Sequence, residues 1–223
     1  MSRGQASKLK IGKFQEAYLL LYKHFGPQGW WPSETPFETM VGAVLAQNTS
    51  WLNVTKAIEN LKNNGLMTYE TLSICNAEEI ARHIKSAGYY NLKARRLRNL
   101  LDMIQEHYDD RLDSFINDEL EVARERLLSV KGIGPETADS ILLYACGHPI
   151  FVVDMYTHRV FHRHSLVDEE TDYHSIQALF MDHLPHDPVL FNEFHALVVR
   201  VASAYCKKTK PQCEACPLRG FNQ

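Results

Sequence analysis

The sequence predicts an all-α protein, and three observations support this fold class. Apolar residues recur at helical spacing through most of the 223 residues. Glycine and proline stand between these segments, where they end one helix or begin the next. No stretch alternates apolar and polar residues for long enough to form a strand. With 45% hydrophobic residues, the chain can bury the core of one globular unit or of two closely packed lobes.

The helices are predicted from apolar periodicity, and their ends from caps and breakers. Residues 14–25 end at Gly26-Pro27, and the helix after the Gly-x-Gly turn begins at Pro135. The predicted helices span about residues 14–25, 36–45, 52–63, 77–86, 92–108, from 113, 120–130, 135–145, 155–164, 174–184 and 189–205.

Residues 130–134 form a glycine turn between two of these helices. Gly132 and Gly134 permit the backbone angles of a tight hairpin. We expect free N–H groups at Ile133 and Gly134, next to a helix N-terminus, and such groups form a seat for a phosphate. The alternative is an ordinary helix–helix connection.

Asp154 follows the apolar run at residues 150–153 and precedes a helical pattern. It is therefore predicted to be an N-cap, and backbone N–H donors at a positive helix end would keep its carboxylate ionised. It is either a cap alone or a fixed negative charge that stabilises cationic sugar character while a glycosidic bond breaks.

Composition indicates a cytoplasmic protein. The net charge of −3 gives no overall attraction to nucleic acid, so any such surface must be local. No segment has the apolar length of a membrane span, and residues 1–10 lack the apolar core of a signal peptide. The five cysteines do not resemble a secreted disulfide framework.

Aromatic residues occur in two polar settings. Trp30, Trp31 and Pro32 lie in a loop, where they serve either as a core plug or as a platform for a ring. Residues 46–50 bring polar groups to the end of an apolar helix, directly before Trp51. This indicates a pocket rim, and the alternative is an Asn/Thr turn that caps the next helix.

Residues 87–98 combine a glycine turn, two tyrosines and a basic run. Basic and aromatic side chains together suit a phosphate backbone and unstacked bases. We expect Tyr89 and Lys93 to contact nucleic acid, and Arg95 and Arg98 to lie on a solvated helix face.

The chain ends with a cysteine loop. Cys206, Cys213 and Cys216 are spaced C-x6-C-x2-C, close enough to surround one inorganic centre. Thiolates at this spacing suit an iron–sulfur cluster or a zinc site with a histidine as fourth ligand. The lysines between the first two cysteines, Lys207, Lys208 and Lys210, would make the loop a cationic phosphate contact. His158, His162 and His164 are more typical of a surface than of a metal site.

The segments KGIGPETA and VVDMYTHRV, in that order, resemble the helix-hairpin-helix (HhH-GPD) DNA glycosylases of the endonuclease III superfamily. The cysteine spacing resembles the C-x6-C-x2-C-x5-C iron–sulfur loop of the same proteins, and the likeness runs from about Phe25 to the C-terminus. It implies two helical lobes flanking a cleft: residues 27–163, with the helix-hairpin-helix at about 120–146, and residues 1–26 plus 164–223, ending in the Cys206–Cys216 loop.

The resemblance also implies roles for single residues. Asp154 matches the catalytic aspartate, Gln47 a residue that fills the vacated base stack, and Tyr89 a wedge opposite it. The hairpin, Lys131, Gly132, Ile133 and Gly134, would bind the DNA backbone. The fourth cysteine position falls at Asn222, so a [4Fe–4S] cluster would lack one ligand, with zinc or no metal as alternatives.

Glu136 departs from the bifunctional members, which carry a lysine there that forms a Schiff base. A carboxylate cannot form an imine, so excision with water as nucleophile is expected.

The pattern of Trp30, Trp31 and Pro32 with Trp51 resembles the bacterial 3-methyladenine DNA glycosylase III branch. This implies a base pocket for alkylated purines, such as 3-methyladenine or 7-methylguanine, with Glu136 beside it. The expected partner is double-stranded DNA with damaged bases, bound by a monomer in a bacterial or archaeal cytoplasm, at the nucleoid. The alternatives are a bifunctional glycosylase/lyase for oxidised pyrimidines and a non-catalytic binder of abasic or distorted DNA.

Overall fold

The computed structural model describes residues 12–222, and this part of the chain contains α-helices but no strand. The polar segment at residues 1–10 lies outside the described residues. The helices are α1 (Lys13–Phe25), α2 (Pro36–Leu45), α3 (Trp51–Asn63), α4 (Tyr69–Ser73), α5 (Ala77–His83), α6 (Tyr90–Tyr108), α7 (Leu112–Ile116), α8 (Leu120–Ser129), α9 (Pro135–Tyr144), α10 (Met155–Arg163), α11 (Tyr173–His183) and α12 (Pro188–Ala204). Short 3-10 helices occupy Lys85–Ala87 and Cys213–Ala215.

The all-α prediction is confirmed, and the predicted helix starts at Pro36 and Pro135 are those of the structure. Both prolines occupy the first helical turn, where a missing N–H costs nothing. Helix α4 was not predicted, because five residues are too few to show a helical period. The predicted helix at residues 77–86 is interrupted: α5 ends at His83 and a 3-10 turn follows.

The chain divides into two compact units, and we describe each by itself. The middle unit is Trp30–Val152, and within the described residues the terminal unit combines residues 12–29 with residues 153–222. The second boundary therefore lies at Val153 and not, as predicted, at residue 164. The reason is that α10 packs against α12 within the terminal unit.

The middle unit contains α2 to α9. Helix α2 packs on α3, α6 and α9, and its residues Met40, Val44 and Leu45 are fully buried. Helices α8 and α9 pack on each other, and a bidentate ion pair joins them. Arg124 Nε lies 2.7 Å from Asp139 Oδ1, and its Nη2 lies 3.1 Å from Oδ2. This pair fixes the helices on either side of the glycine hairpin.

The terminal unit contains α1 and α10 to α12 around a cluster of phenylalanine rings. Phe14 of α1 stacks on Phe161 of α10 and lies 4.6 Å, centroid to centroid, from Phe180 of α11. Phe194 of α12 completes the cluster, 5.6 Å from Phe180. These buried rings hold α10, and therefore its first turn, in a fixed place. Among residues 12–222 no helix combines the length and apolar character needed to cross a membrane.

Candidate functional site

Asp154 is the N-cap of α10, as predicted, and one of its carboxylate oxygens is fully used by the cap. Thr157 donates to Asp154 Oδ1 twice, from its backbone N–H at 2.7 Å and from its hydroxyl at 2.8 Å. In return the Asp154 N–H donates to Thr157 Oγ1 at 3.5 Å. This capping box locks the side chain, and Oδ2 takes no part in it.

His195 of α12 faces that second oxygen. Its Nε2 lies 3.6 Å from Asp154 Oδ2, and the two side chains are only 7% and 11% exposed. Burial alone would raise the pKa of Asp154, but His195 and the Thr157 donors outweigh burial and hold the pKa below its ordinary value. The carboxylate is thus ionised at neutral pH. Sequence reasoning missed His195, because it lies on a separate helix and only the packing of α12 against α10 brings it beside Asp154.

The glycine hairpin has the conformation that the sequence predicts, but not all of its expected donors. Gly132 has a φ of +101°, and the side chain of Arg96 packs directly over it. The expectation of a free N–H at Ile133 is wrong: it donates to Val130 O at 3.0 Å, and the side chain is buried. Gly134 is exposed at the N-cap of α9, and its N–H donates to no described residue.

Lys131 is exposed at the head of the hairpin. Its carbonyl accepts a hydrogen bond from Asn99 of α6 at 2.9 Å, which anchors the turn without using the ammonium. The hairpin therefore presents one free cation and the open N-terminus of α9, a combination that suits a phosphate.

Three tryptophans of the middle unit form one aromatic cluster. The Trp31 ring meets the Trp51 ring edge-on at 4.8 Å, and Trp30 lies 5.9 Å from Trp51. Tyr144 of α9 lies against Trp31 at 5.2 Å. A flat ring sandwiched between Trp30 and Trp51 needs about 7 Å, two stacking distances, so it could enter only if the two indole rings moved apart. Pro32 is exposed beside them.

The expectation that Lys93 contacts DNA is wrong. The side chain is 1% exposed, and its ammonium donates to the carbonyls of Leu45, at 2.8 Å, and Ala87, at 2.7 Å. Burial and, to a lesser extent, the nearby Arg96 charge lower the Lys93 pKa to about 8. The expectation for Arg98 is also wrong, because its guanidinium donates to the carbonyls of Ser73 and Cys75.

Gln47 and Tyr89, the two residues matched to base-stack insertion, line the same small cavity of about 120 Å³ with Arg96. The Gln47 amide is engaged at both ends. It donates to Gly132 O at 3.1 Å and to Thr137 Oγ1 at 2.9 Å, and it accepts from Arg96. Tyr89 has a left-handed backbone (φ +44°), and its side chain is 74% exposed.

Glu136 lies in the first turn of α9 and is exposed, and its carbonyl accepts from Ser140 at 2.7 Å. A negative charge in a first turn is favourable in any helix. The Glu136 carboxylate is thus accessible within its own unit.

The cysteine loop places Cys206, Cys213 and Cys216 around one cavity of about 680 Å³. Arg163 donates to Cys206 Sγ at 3.2 Å and to the carbonyls of Lys207 and Lys208, whose side chains are exposed. Burial, followed by the charges of Cys206 and Cys213, raises the pKa of the Cys216 thiol.

Among the described residues that line this cavity, His164 and Glu214 are the other side chains that could bind a metal. Asn222 Nδ2 donates to His164 O at 2.8 Å, and His164 Nδ1 contacts Phe221 O. Within residues 12–222, no three His, Cys, Asp or Glu side chains are already arranged as a metal-ligand set. The three thiols therefore fit an iron–sulfur or zinc centre, but the fourth ligand at this cavity would have to be a residue other than cysteine.

Known proteins are similar to this chain over most of its length. A family model described as "HhH-GPD superfamily base excision DNA repair protein" matches residues 41–186, more than half of the chain. A protein of Methanocaldococcus jannaschii, provisionally named a DNA repair glycosylase, is 42% identical over 219 residues, covering 96% of this chain and 98% of the relative.

Two solved structures are also similar. The 3-methyladenine DNA glycosylase (MagIII) of H. pylori, bound to 1,N6-ethenoadenine, is 31% identical with a TM-score of 0.72, covering 86% of this chain and 98% of the other. A non-covalent endonuclease III–DNA complex is 25% identical with a TM-score of 0.78, covering 95% of each chain.

Proposed function

The chain belongs to the HhH-GPD superfamily of base excision DNA repair proteins and is a DNA glycosylase of that family, and we propose that it hydrolytically removes alkylated purines without cleaving the DNA strand. The observation that carries the proposal is the ionised, immobilised carboxylate of Asp154. The preference for purines rests on the tryptophan cluster, and the absence of strand cleavage on Glu136.

Asp154 stabilises the sugar when the glycosidic bond breaks. The departing base takes the bonding electrons and leaves positive charge on the deoxyribose ring. A carboxylate whose Oδ1 is held by Thr157 keeps Oδ2 in place without reorganisation, and that is the condition under which electrostatic stabilisation is largest. Water then adds to the sugar carbon and leaves an abasic site.

The tryptophan cluster binds the everted base. Purines alkylated at N3 or N7 carry a positive charge, and a cation between indole faces gains about 1–2 kcal/mol where water is excluded. Such bases also leave easily, so the site needs little acid catalysis. The rings of Trp30 and Trp51 separate on binding, since 5.9 Å is too short for a sandwiched purine. The similarity to MagIII, solved with a modified adenine, supports the purine class.

Glu136 makes the enzyme monofunctional. Imine formation needs an amine at this place, and a carboxylate cannot supply it. The nearest lysine of the hairpin, Lys131, serves the phosphate backbone instead, together with the N-terminus of α9. Lys207 and Lys208 add backbone contacts. Tyr89, which is 74% exposed, and the turn that carries Gln47 enter the duplex where the base has left. The partner is double-stranded DNA, which a monomer binds.

The cysteine loop is a metal centre under this proposal. Cys206, Cys213 and Cys216 would hold a [4Fe–4S] cluster with one position not filled by cysteine, and a bound cluster would brace the loop that carries Lys207 and Lys208. Visible absorbance together with iron, sulfide and zinc analysis of the purified protein tests this. Protein that contains zinc but no sulfide would indicate a zinc site instead of a cluster. Protein that contains no metal would show that the loop is not a metal centre.

Two assays test the reaction. Wild-type protein should release free 3-methyladenine or 7-methylguanine from methylated duplex DNA, and Trp51→Ala should release much less. Borohydride should trap no covalent protein–DNA adduct on an abasic duplex. An adduct that one lysine substitution abolishes would indicate the bifunctional lyase, and binding to abasic DNA without release of any base would indicate a non-catalytic binder.

A further inference from the structure

The buried ammonium of Lys93 joins the two turns that carry Gln47 and Tyr89. One turn follows α2 at residues 46–50, and the other, residues 88–89, follows the 3-10 helix Lys85–Ala87. Lys93 Nζ donates to the carbonyl that ends the first element, Leu45 O, at 2.8 Å, and to the carbonyl that ends the second, Ala87 O, at 2.7 Å. Its backbone N–H donates to Tyr89 O at 3.0 Å.

We propose that Lys93 is a positioning residue that sets the distance between these two turns, so that the Gln47 turn and Tyr89 enter a duplex together at an abasic gap. This inference rests on the proposed function, in which these residues occupy the duplex. The ammonium is 1% exposed and cannot reach a phosphate. A charged donor is the strongest available link between two carbonyls, which also explains why a costly buried lysine is present.

The neighbouring contacts support this assignment. Arg96, one helical turn further along α6, donates to Gln47 Oε1 and packs over Gly132 of the hairpin. Gln47, Tyr89, Lys93 and Arg96 line one cavity of about 120 Å³, so the two turns face each other within the middle unit. One face of α6 therefore connects both turns and the hairpin.

The test compares the affinity for a duplex that contains one tetrahydrofuran abasic site with the affinity for the same undamaged duplex. Lys93→Met, which keeps the unbranched chain but removes the donor, should reduce the preference for the abasic duplex by about tenfold. The salt dependence of binding to undamaged duplex should be unchanged, because no phosphate contact is lost. Lys131→Met is the matched control, and it should lower the slope of log K against log salt by about 0.9.

A double-mutant cycle distinguishes positioning of the two turns from a purely structural role of Lys93. In a Gln47→Ala/Tyr89→Ala background, Lys93→Met should change the preference by less than about twofold, because Lys93 acts through those residues. Lys93→Gln, which retains a shorter donor, should recover part of the preference. Melting curves restrict the comparison to folded protein.

Each contrary outcome is decisive. An additive effect in the Gln47→Ala/Tyr89→Ala background, a changed salt slope for Lys93→Met, or failure of both Lys93 variants to fold overturns the inference. A wild-type protein without preference for the abasic duplex overturns it as well. Binding to an abasic duplex requires no base excision. The binding result therefore tests this inference even if the glycosylase assay fails.

Discussion

Gly132→Ala should destabilise the protein strongly, whereas the same change two residues away should not. At a φ of +101° an alanine is strained by about 1–3 kcal/mol. The new Cβ would also lie 2.5 Å from Arg96 Cγ, so the arginine must move. Its bond to Gln47 is then lost, at about 1 kcal/mol. Together these effects reduce the free energy of unfolding by about 3 kcal/mol.

Gly134→Ala is the matched control, because it changes the same hairpin by the same methyl group. Gly134 has a φ of −99°, which any residue adopts, and nothing lies within 4 Å of a Cβ placed there. Its effect should stay within about 1 kcal/mol. Urea unfolding, followed by circular dichroism, measures both variants. Equal stability of the two variants would refute the reasoning, because the two positions differ in the sign of φ and in the Arg96 contact.

Two further predictions concern the aspartate and the tryptophan cluster. Thr157→Val removes one hydrogen-bond donor to Asp154, so the pKa of the Asp154 carboxyl should rise. The acid limb of the pH–rate profile should therefore move to higher pH. An acid limb that stays in place would contradict the role of the cap. Because the folded pKa of Asp154 is depressed, the wild type should also lose stability as pH falls through the carboxyl range, and Thr157→Val should lose less. Gly42→Ala should lack the usual gain of about 1 kcal/mol for alanine in a helix, because its Cβ would lie 3.3 Å from the Trp31 ring; full stabilisation with unchanged tryptophan fluorescence would contradict this contact.

Local sequence signals predicted most of the helices. Pro36 and Pro135 marked helix starts, and Asp154 marked a cap, because each effect acts within one turn of the chain. Helix α4 escaped prediction because a single turn has no period. Such local features account for the hairpin and for the capped carboxylate at the candidate site.

Features set by distant partners could not be predicted. Lys93 looked like a phosphate contact because its neighbours are basic and aromatic, but its acceptors are the carbonyls of Leu45 and Ala87, which no sequence pattern reveals. His195 was missed for the same reason, since its place beside Asp154 depends on the packing of α10 against α12. The prediction of a free N–H at Ile133 was wrong because this N–H donates to Val130 O within the hairpin.

The most direct measurement of the central claim is the single-turnover rate of base release from a methylated duplex by wild-type protein and by Asp154→Asn. The asparagine keeps the size of the side chain and an acceptor for Thr157, but it removes the charge. The account predicts that the wild type releases free methylated purine and that Asp154→Asn is slower by about 100-fold or more, with duplex affinity retained. Release at an undiminished rate by Asp154→Asn, or no release by the wild type, would contradict it.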